Sequence, residues 1–360
     1  MRTIRILTAV LCTHVLFASS FGAEEQKASD RKAQRQQQLL RQFDKDGNGK
    51  LDEQEKKALQ EYLKSRKGKQ SSQPSTSMPA LLEIPPGVKQ IANIEYARIK
   101  DEPLLLDIYL PEKVKRPMPV IVWIHGGAWA GGSKNPCQIV SFSGKGYALV
   151  SMNYRLTGVA QFPAQINDCK AVVRWVRAHA AEYGFDPDRV GAAGGSAGGH
   201  LVALLGTSGD VKELEGDVGG NIKYSSRVRA VCDFCGPTDF TREDYVRDAG
   251  RKKPAILEAA LIKLLGGPWE EKREAANMAS PVYFISKDDP PFLIVHGDAD
   301  RVIPVKHSQM LYDKLKEAGV EVTLHIVKDG GHGVAGYPDV LDKAAEFFDK
   351  HLKKKAQGAQ

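Results

Sequence analysis

The sequence predicts an α/β fold: a mainly parallel β-sheet with helices on both faces, preceded by a small helical segment. Three observations lead there. Apolar runs of strand length alternate with longer runs of helical spacing from residue 91 onward. The runs at 120–124 (VIVWI) and 147–153 (YALVSMN) are continuously apolar at their centres, as in strands buried on both faces. Finally, Gly194-Gly195-Ser196-Ala197-Gly198 sits between a strand-like run and an apolar helical run, the strand–turn–helix setting of a nucleophile elbow.

The chain has 360 residues, enough for one large domain and something small. A composition of 42% hydrophobic and 26% charged residues places it among globular proteins rather than disordered ones. Arg2 and Arg5, an apolar run at 6–17 and small residues at 18–23 predict a secretory signal peptide. Cleavage near Gly22 or Ala23 makes the mature protein secreted or periplasmic, and no later segment predicts stable membrane insertion. Loss of Arg2 and Arg5 reduces the net charge from +7 to +5. Lysines concentrate at 27–69 and 353–355 without interleaved aromatics, which reads as solvated faces and excludes a nucleic-acid surface. Cys12 leaves with the signal peptide. Cys137, Cys169, Cys232 and Cys235 remain as buried thiols or structural disulfide partners. The Cys232-x-x-Cys235 spacing lies in a strand-like run with no second ligand pair, against a metal or redox motif.

Residues 24–64 predict a helix–loop–helix around an EF-hand calcium loop. Asp44, Asp46 and Asn48 stand at positions 1, 3 and 5, Gly49 at 6, the carbonyl of Lys50 at 7, Asp52 at 9 and Glu55 at 12. A hard cation needs several converging oxygens, and the glycine permits the tight turn. Ca²⁺ there is expected to be structural or to serve attachment, and EF-hand-mediated association is a corollary because such units pair. Residues 65–80, rich in Ser, Gln and Lys, predict a flexible linker, and residues 81–360 the catalytic domain.

Within that domain, 91–99 and 104–110 predict a first hairpin, followed by strands at 120–124 and 147–153. Residues 163–183 have helical apolar spacing through Ile166, Cys169, Val173, Val176 and Ala180, with Lys170, Arg174 and Arg177 expected to face solvent. The elbow strand and helix follow, then a strand at 228–234. An irregular insertion at 237–289 is expected to shape the pocket, with Trp129 and Trp269 as candidates for its lining or for the core. A strand at 292–296, a helix at 305–318, a strand at 322–327 and a helix at 340–352 close the chain.

A serine hydroxyl is a weak nucleophile and needs a base oriented by a carboxylate. Both partners must lie where strand carboxyl ends converge. Asp300 follows the 292–296 strand in HGDAD, and His332 follows the 322–327 strand in DGGHG, giving the order Ser196, Asp300, His332. Among the other histidines, His179, His307 and His351 fall on predicted helices and His325 within a strand. His125 and His296 precede glycines in loops suited to supporting hydrogen bonds, and His200 follows the elbow too closely to face the serine. Asp298 and Asp239 also follow strands and are read as loop or helix caps. Acyl transfer places negative charge on the carbonyl oxygen, so N–H donors must be preorganised. The loop His125-Gly126-Gly127-Ala128-Trp129 supplies candidates: Gly127 with Gly126 or Ala128, together with the N–H of Ala197.

From residue 91 to 352 the chain resembles the α/β-hydrolase superfamily, and most closely its esterase/lipase branch. That branch includes hormone-sensitive-lipase-like carboxylesterases and bifunctional feruloyl and acetyl xylan esterases. The residues carrying the likeness are HGGAW (125–129), NYRL (153–156), the helix at 162–180, DPDRVGAAGGSAGGHLVALLG (186–206), GPTDF (236–240), HGDADRVIPVKHS (296–308) and GGHG (330–333). Ala128 departs from the third glycine of many lipolytic members. The resemblance implies a Ser196–His332–Asp300 triad and a serine carboxylesterase that needs no cofactor for its chemistry. The expected substrate is a small-molecule or polysaccharide-linked ester, with acetyl or feruloyl groups the best guess. A peptidase or amidase of the same fold is the alternative within enzymes; a calcium-dependent scaffold that has lost catalysis is the alternative outside them.

Overall fold

The computed structural model describes residues 82–209, 211–246 and 256–353. The expected leader, the expected linker and the residues Asp44, Asp46, Asn48, Lys50, Asp52 and Glu55 of the expected calcium loop lie outside the described residues. Strands β1 (Val88–Ile99) and β2 (Glu102–Pro111) form an antiparallel hairpin. They are followed by β3 (Met118–Ile124), β4 (Ala148–Met152), β5 (Phe185–Gly195), β6 (Ala230–Phe234), β7 (Phe292–Gly297) and β8 (Val322–Val327). The sheet has eight strands in the order β1-β2-β4-β3-β5-β6-β7-β8. β2 meets β4 antiparallel, and every pair from β4 to β8 is parallel. The chain leaves β3 toward β4 on one side and returns to β5 on the other, so a crevice opens at the carboxyl ends of β3 and β5.

The helices are α1 (Ala164–Ala178), α2 (Ala180–Tyr183), α3 (Ala197–Thr207), α4 (Glu243–Val246), α5 (Ile256–Leu265), α6 (Arg273–Ala279), α7 (Lys306–Glu317) and α8 (Pro338–Leu352). They cover both faces, which is why β3 is buried along its whole length. Val120, Val122 and Ile124 join the core beneath α1, α3 and α7, whereas Ile121 and Trp123 join the opposite core beneath α8. The helix expected over 163–183 breaks at His179, which caps α1 and starts α2.

Two expectations need correction. Lys170 and Arg174 do not face solvent; they are 0% and 2% exposed. Lys170 Nζ reaches the Glu215 carboxylate at 2.6 Å and also donates to Ser208 O. Arg174 donates to Glu215 Oε2 and to its carbonyl. Arg177, half-buried, donates to the carbonyls of Pro187, Ser225 and Arg227. Their stems lie along apolar surface while the crossover at 207–229 supplies acceptors, a tertiary partner invisible to helical periodicity. The insertion is not irregular either, since it carries α4, α5 and α6.

A buried polar network fixes the loop that follows the 125–129 segment. Asp107 on β2 is fully buried and pairs with Lys134 Nζ at 2.7 Å. It also accepts from Asn93 N–H, Gln90 Nε2 and Asn135 Nδ2. Lys134 in turn is tied by its N–H to Asn153 Oδ1 and by its carbonyl to Ser151 Oγ. The next segment along, 153–157, is anchored by Arg155, whose guanidinium grips both oxygens of Asp168 on α1. The Asp168 side chain is 0% exposed. Removing one partner of such a pair strands a buried charge, whereas replacing both with apolar groups does not. Arg155→Ala is therefore expected to destabilise the fold by about 3–5 kcal/mol, read from urea unfolding, and Arg155→Met with Asp168→Leu to recover most of that loss.

Candidate active site

Ser196 occupies the turn between β5 and α3 with φ 57° and ψ −118°, a conformation that non-glycine residues rarely hold. Its N–H donates to Phe234 O at 2.8 Å, and its carbonyl accepts from His200 N–H at 2.9 Å. The flanking glycines are steric necessities. A Cβ on Gly194 would run into Gly198 O, and one on Gly198 into Ile124 O. The elbow thus forms only where β5, α3 and the end of β3 approach backbone to backbone.

His332 follows β8 and Asp300 follows β7. His332 Nε2 lies 2.8 Å from Ser196 Oγ, and Nδ1 lies 2.7 Å from Asp300 Oδ2. An ionised carboxylate only accepts, so Nδ1 carries the proton and Nε2 offers its lone pair to the serine hydroxyl. Asp300 Oδ1 accepts from the N–H groups of Val302 (2.7 Å) and Ile303 (3.0 Å). Burial works to raise this carboxyl; the hydrogen bonds from His296, His332 and Val302 outweigh it and hold Asp300 well below the usual carboxylate range. His296 is buried behind Asp300, its Nε2 3.3 Å from Oδ2 and its Nδ1 2.6 Å from Ser308 Oγ.

The oxyanion candidates line the cavities beside Ser196. Gly126, Gly127, Ala128 and Ser196 line one cleft, and a Cβ on Gly126 would lie 2.8 Å from Gly195 O. Gly127, Ala128 and Trp129 all have positive φ, with Ala128 at 54°, so the chain doubles back beside the serine. Gly127 O accepts from the N–H groups of Ala130 and Gly131, pinning the turn from behind. Ala197 is the first residue of α3, so its N–H has no intrahelical acceptor and sits at the positive end of the helix.

Asp239 and Asp298 hold loops: the first accepts from the N–H and hydroxyl of Thr241, the second from Asp329 N–H. His125 stacks on Tyr154 with ring centroids 4.3 Å apart. His307 accepts from Thr238 N–H and donates to Tyr245 O, while His179 stacks on Trp175. Cys137, Cys169, Cys232 and Cys235 are free and buried. Cys235 donates its S–H to His332 O, and burial, reinforced by the charges of Asp300 and Asp233, pushes its thiol up. Cys235, Asp300 and His332 present ligand atoms within 4.8 Å of one another. The Asp300 and His332 atoms are already committed to the hydrogen-bonded chain through Ser196, whereas Cys235 Sγ donates outside that chain, to the His332 carbonyl.

The cleft above Ser196 has a volume of about 650 Å³. Among the described residues its walls come from Leu82, Trp123, the 132–138 loop, Phe234, Cys235 and the 333–336 turn. The insertion expected to shape it contributes none of them; its described residues close a second, small cavity on the other flank of Ser196. Trp269 is core, and Trp129 packs inward against His200 and Phe240, centroids 5.2 and 5.9 Å away. Sequence reading passed over the pair this creates. Trp129 Nε1–H donates to His200 Nδ1 at 3.1 Å, and His200 Nε2–H donates to Ala279 O at 2.7 Å. The pair ties the 126–129 loop to α3 and α6. The available signal was a histidine four residues beyond Ser196 and a tryptophan two residues beyond the Gly126-Gly127 pair.

The family model BD-FAE matches residues 106–315, more than half of the chain. The probable carboxylic ester hydrolase LipM of Mycobacterium tuberculosis is 34% identical over 215 residues, 58% of this chain and 47% of that protein. Esterase LipC of the same organism is 29% identical over 250 residues, 68% of this chain and 59% of that protein. The chain spans about half the length of the curated relatives it matches. Among solved structures, a truncated carbohydrate esterase from gut microbiota aligns with a TM-score of 0.66 and 33% identity, covering 74% of this chain and 97% of that one. A thermophilic esterase of Thermogutta terrifontis aligns with a TM-score of 0.61 and 29% identity, covering 76% and 96%.

Burial lowers His200 to about 4 and His307 to about 3, against about 6.5 in an unfolded chain. The unfolded chain therefore binds protons that the folded one refuses. Stability is fully present above pH 6.5 and falls as the pH drops toward 4. His200→Gln, which keeps a donor and an acceptor, is expected to remove roughly 3 kcal/mol of that loss at pH 4. Urea unfolding at pH 7, 5.5 and 4 checks it.

Proposed function

This chain belongs to the BD-FAE family, an esterase branch of the α/β-hydrolase superfamily, and from that premise we propose that it is a secreted serine carboxylesterase. The observation that carries the reading is the hydrogen-bonded chain Asp300–His332–Ser196, at 2.7 and 2.8 Å. In the proposed cycle Ser196 Oγ attacks the ester carbonyl carbon while His332 Nε2 takes the hydroxyl proton. The N–H of Ala197 and those of the 126–128 loop receive the charge on the carbonyl oxygen. The carbon–oxygen bond to the alcohol then breaks, and His332 returns the proton to the departing oxygen. Water repeats the sequence on the acyl-serine, releasing the acid and restoring the hydroxyl. Asp300 stays ionised throughout and holds the imidazolium.

Esters carried on polysaccharide, acetyl or feruloyl, are the proposed substrates, supported by the carbohydrate esterase of gut microbiota among the similar structures. The leader at 1–23 supports export, and the loop from Asp44 to Glu55 supports calcium binding in a structural or attachment role, both from sequence pattern. Neither takes part in the acyl transfer.

Ser196→Ala is expected to lower kcat on p-nitrophenyl acetate by roughly 10⁴-fold or more and to abolish labelling by a fluorophosphonate probe. Asp300→Asn should cost roughly 10⁴-fold in kcat by releasing the imidazole from its tautomer. A Ser196→Ala protein retaining the original rate would overturn the mechanism.

A further inference from the structure

Two cavities meet at Ser196. The larger, about 650 Å³, is lined by His332 as well as by Ser196 and the glycine loop. The smaller, about 20 Å³, is lined by Ser196, Ala128 and Ala197 on one side and by Pro237, Leu257 and Ala260 on the other. We propose that the smaller cavity is the acyl pocket, that it admits an acetyl or at most a propionyl group, and that the larger cleft takes the alcohol. This deepens, and rests on, the serine-esterase reading.

The assignment follows from where each substituent of the tetrahedral carbon must go. The departing oxygen needs a proton from His332 Nε2, so the alcohol occupies the cavity that His332 lines. The carbonyl oxygen turns toward the N–H groups of Ala197 and the glycine loop. The acyl substituent takes the remaining direction, into the cavity lined by Ala197 and Ala128 but, among the described residues, not by His332.

Size and chemistry then set the acyl group. A water molecule needs roughly 10–15 Å³ measured this way, so about 20 Å³ accepts a methyl and little more. An aromatic feruloyl group does not fit. The residues contributed by the insertion, Pro237, Ile256, Leu257 and Ala260, are apolar, which suits an alkyl end and offers nothing to a hydroxyl. The back wall is stiff. Trp129 is locked by its hydrogen bond to His200 and by edge contacts with His200 and Phe240. Leu257 and Ala260 belong to the hydrophobic core, whereas Ile256 stands at the exposed rim of the cavity.

The test measures kcat/KM of the full chain on p-nitrophenyl esters from acetate to octanoate and on methyl ferulate, with fluorophosphonate labelling of Ser196 in parallel. Beyond propionate, each added methylene is expected to lower kcat/KM about tenfold. Leu257→Ala should lower the acetate-to-butyrate ratio at least tenfold. Ile256 is 59% exposed, so Ile256→Ala is the variant that spares the fold, and it should move the ratio in the same direction. Equal rates on acetate and octanoate, faster cleavage of methyl ferulate than of acetate, or unmoved ratios in a folded Ile256→Ala protein would overturn the pocket assignment while Ser196 still labels. Failure to label and to cleave any ester would instead overturn the esterase reading, and the pocket with it.

Discussion

A single strained residue constrains the whole molecule. Ser196 sits at φ 57°, ψ −118°, which costs of the order of 1–3 kcal/mol and persists only where surroundings over-determine it. Here the surroundings are backbone. Phe234 O on β6 holds its N–H, and His200 N–H on α3 holds its carbonyl. Gly194 and Gly198 let Ile124 O come within a distance that any side chain would block. The strands must therefore be parallel and adjacent in the order β3-β5-β6 for the elbow to exist. The hydroxyl then projects from the sheet edge where β7 and β8 deliver Asp300 and His332.

The electrostatics extend from that geometry. Asp300 is kept charged by three kinds of donor: backbone N–H groups of its own turn, the His332 ring and the buried His296 ring. Surrounding histidines take the opposite course. His200 and His307 are desolvated into the neutral form, which lets each accept at Nδ1 and donate at Nε2 within the core. Two neutral rings thus serve as rigid connectors, while the partly exposed His332 ring is the one proposed to carry protons. Burial, rather than residue type, separates these roles.

Much of this was legible in the sequence, and for physical reasons. Strands buried on both faces leave continuous apolar runs, so β3, β4, β7 and β8 could be placed within a residue or two. The elbow is local chemistry, and the carboxylate and imidazole stand directly after strands, where topology forces convergence. What escaped depends on contacts between distant segments. Lys170 and Arg174 look like a solvated helix face until the crossover at 207–229 supplies Glu215 and its carbonyls. The cleft wall at 132–138 is set by Asp107, on the far side of β3 in the chain, through Lys134 and Asn135. No local pattern encodes those partnerships. Helix α5 was a different kind of miss: its apolar spacing was available, and a preceding stretch without readable motifs obscured it.

The distribution of readable and unreadable segments mirrors a division of labour around Ser196. Segments proposed to move protons and stabilise charge are short, strand-terminal and rich in glycine, because catalysis demands backbone proximity at defined angles. Segments that bound the substrate are longer and ordinary in composition: the 132–138 loop and 333–336 turn on one flank, Pro237 and α5 on the other. Their requirement is volume and polarity, which many sequences satisfy. The catalytic apparatus can therefore stay fixed while α5 slides or its side chains change size. On the proposed pocket assignment, selectivity then changes on one flank without disturbing the hydrogen bonds of Asp300, His332 and Ser196 on the other. The His200–Trp129 tie limits that freedom. It couples the α6 end of the insertion to the glycine loop through Ala279 O, so a remodelled pocket must keep that carbonyl in place or release the proposed oxyanion donors with it.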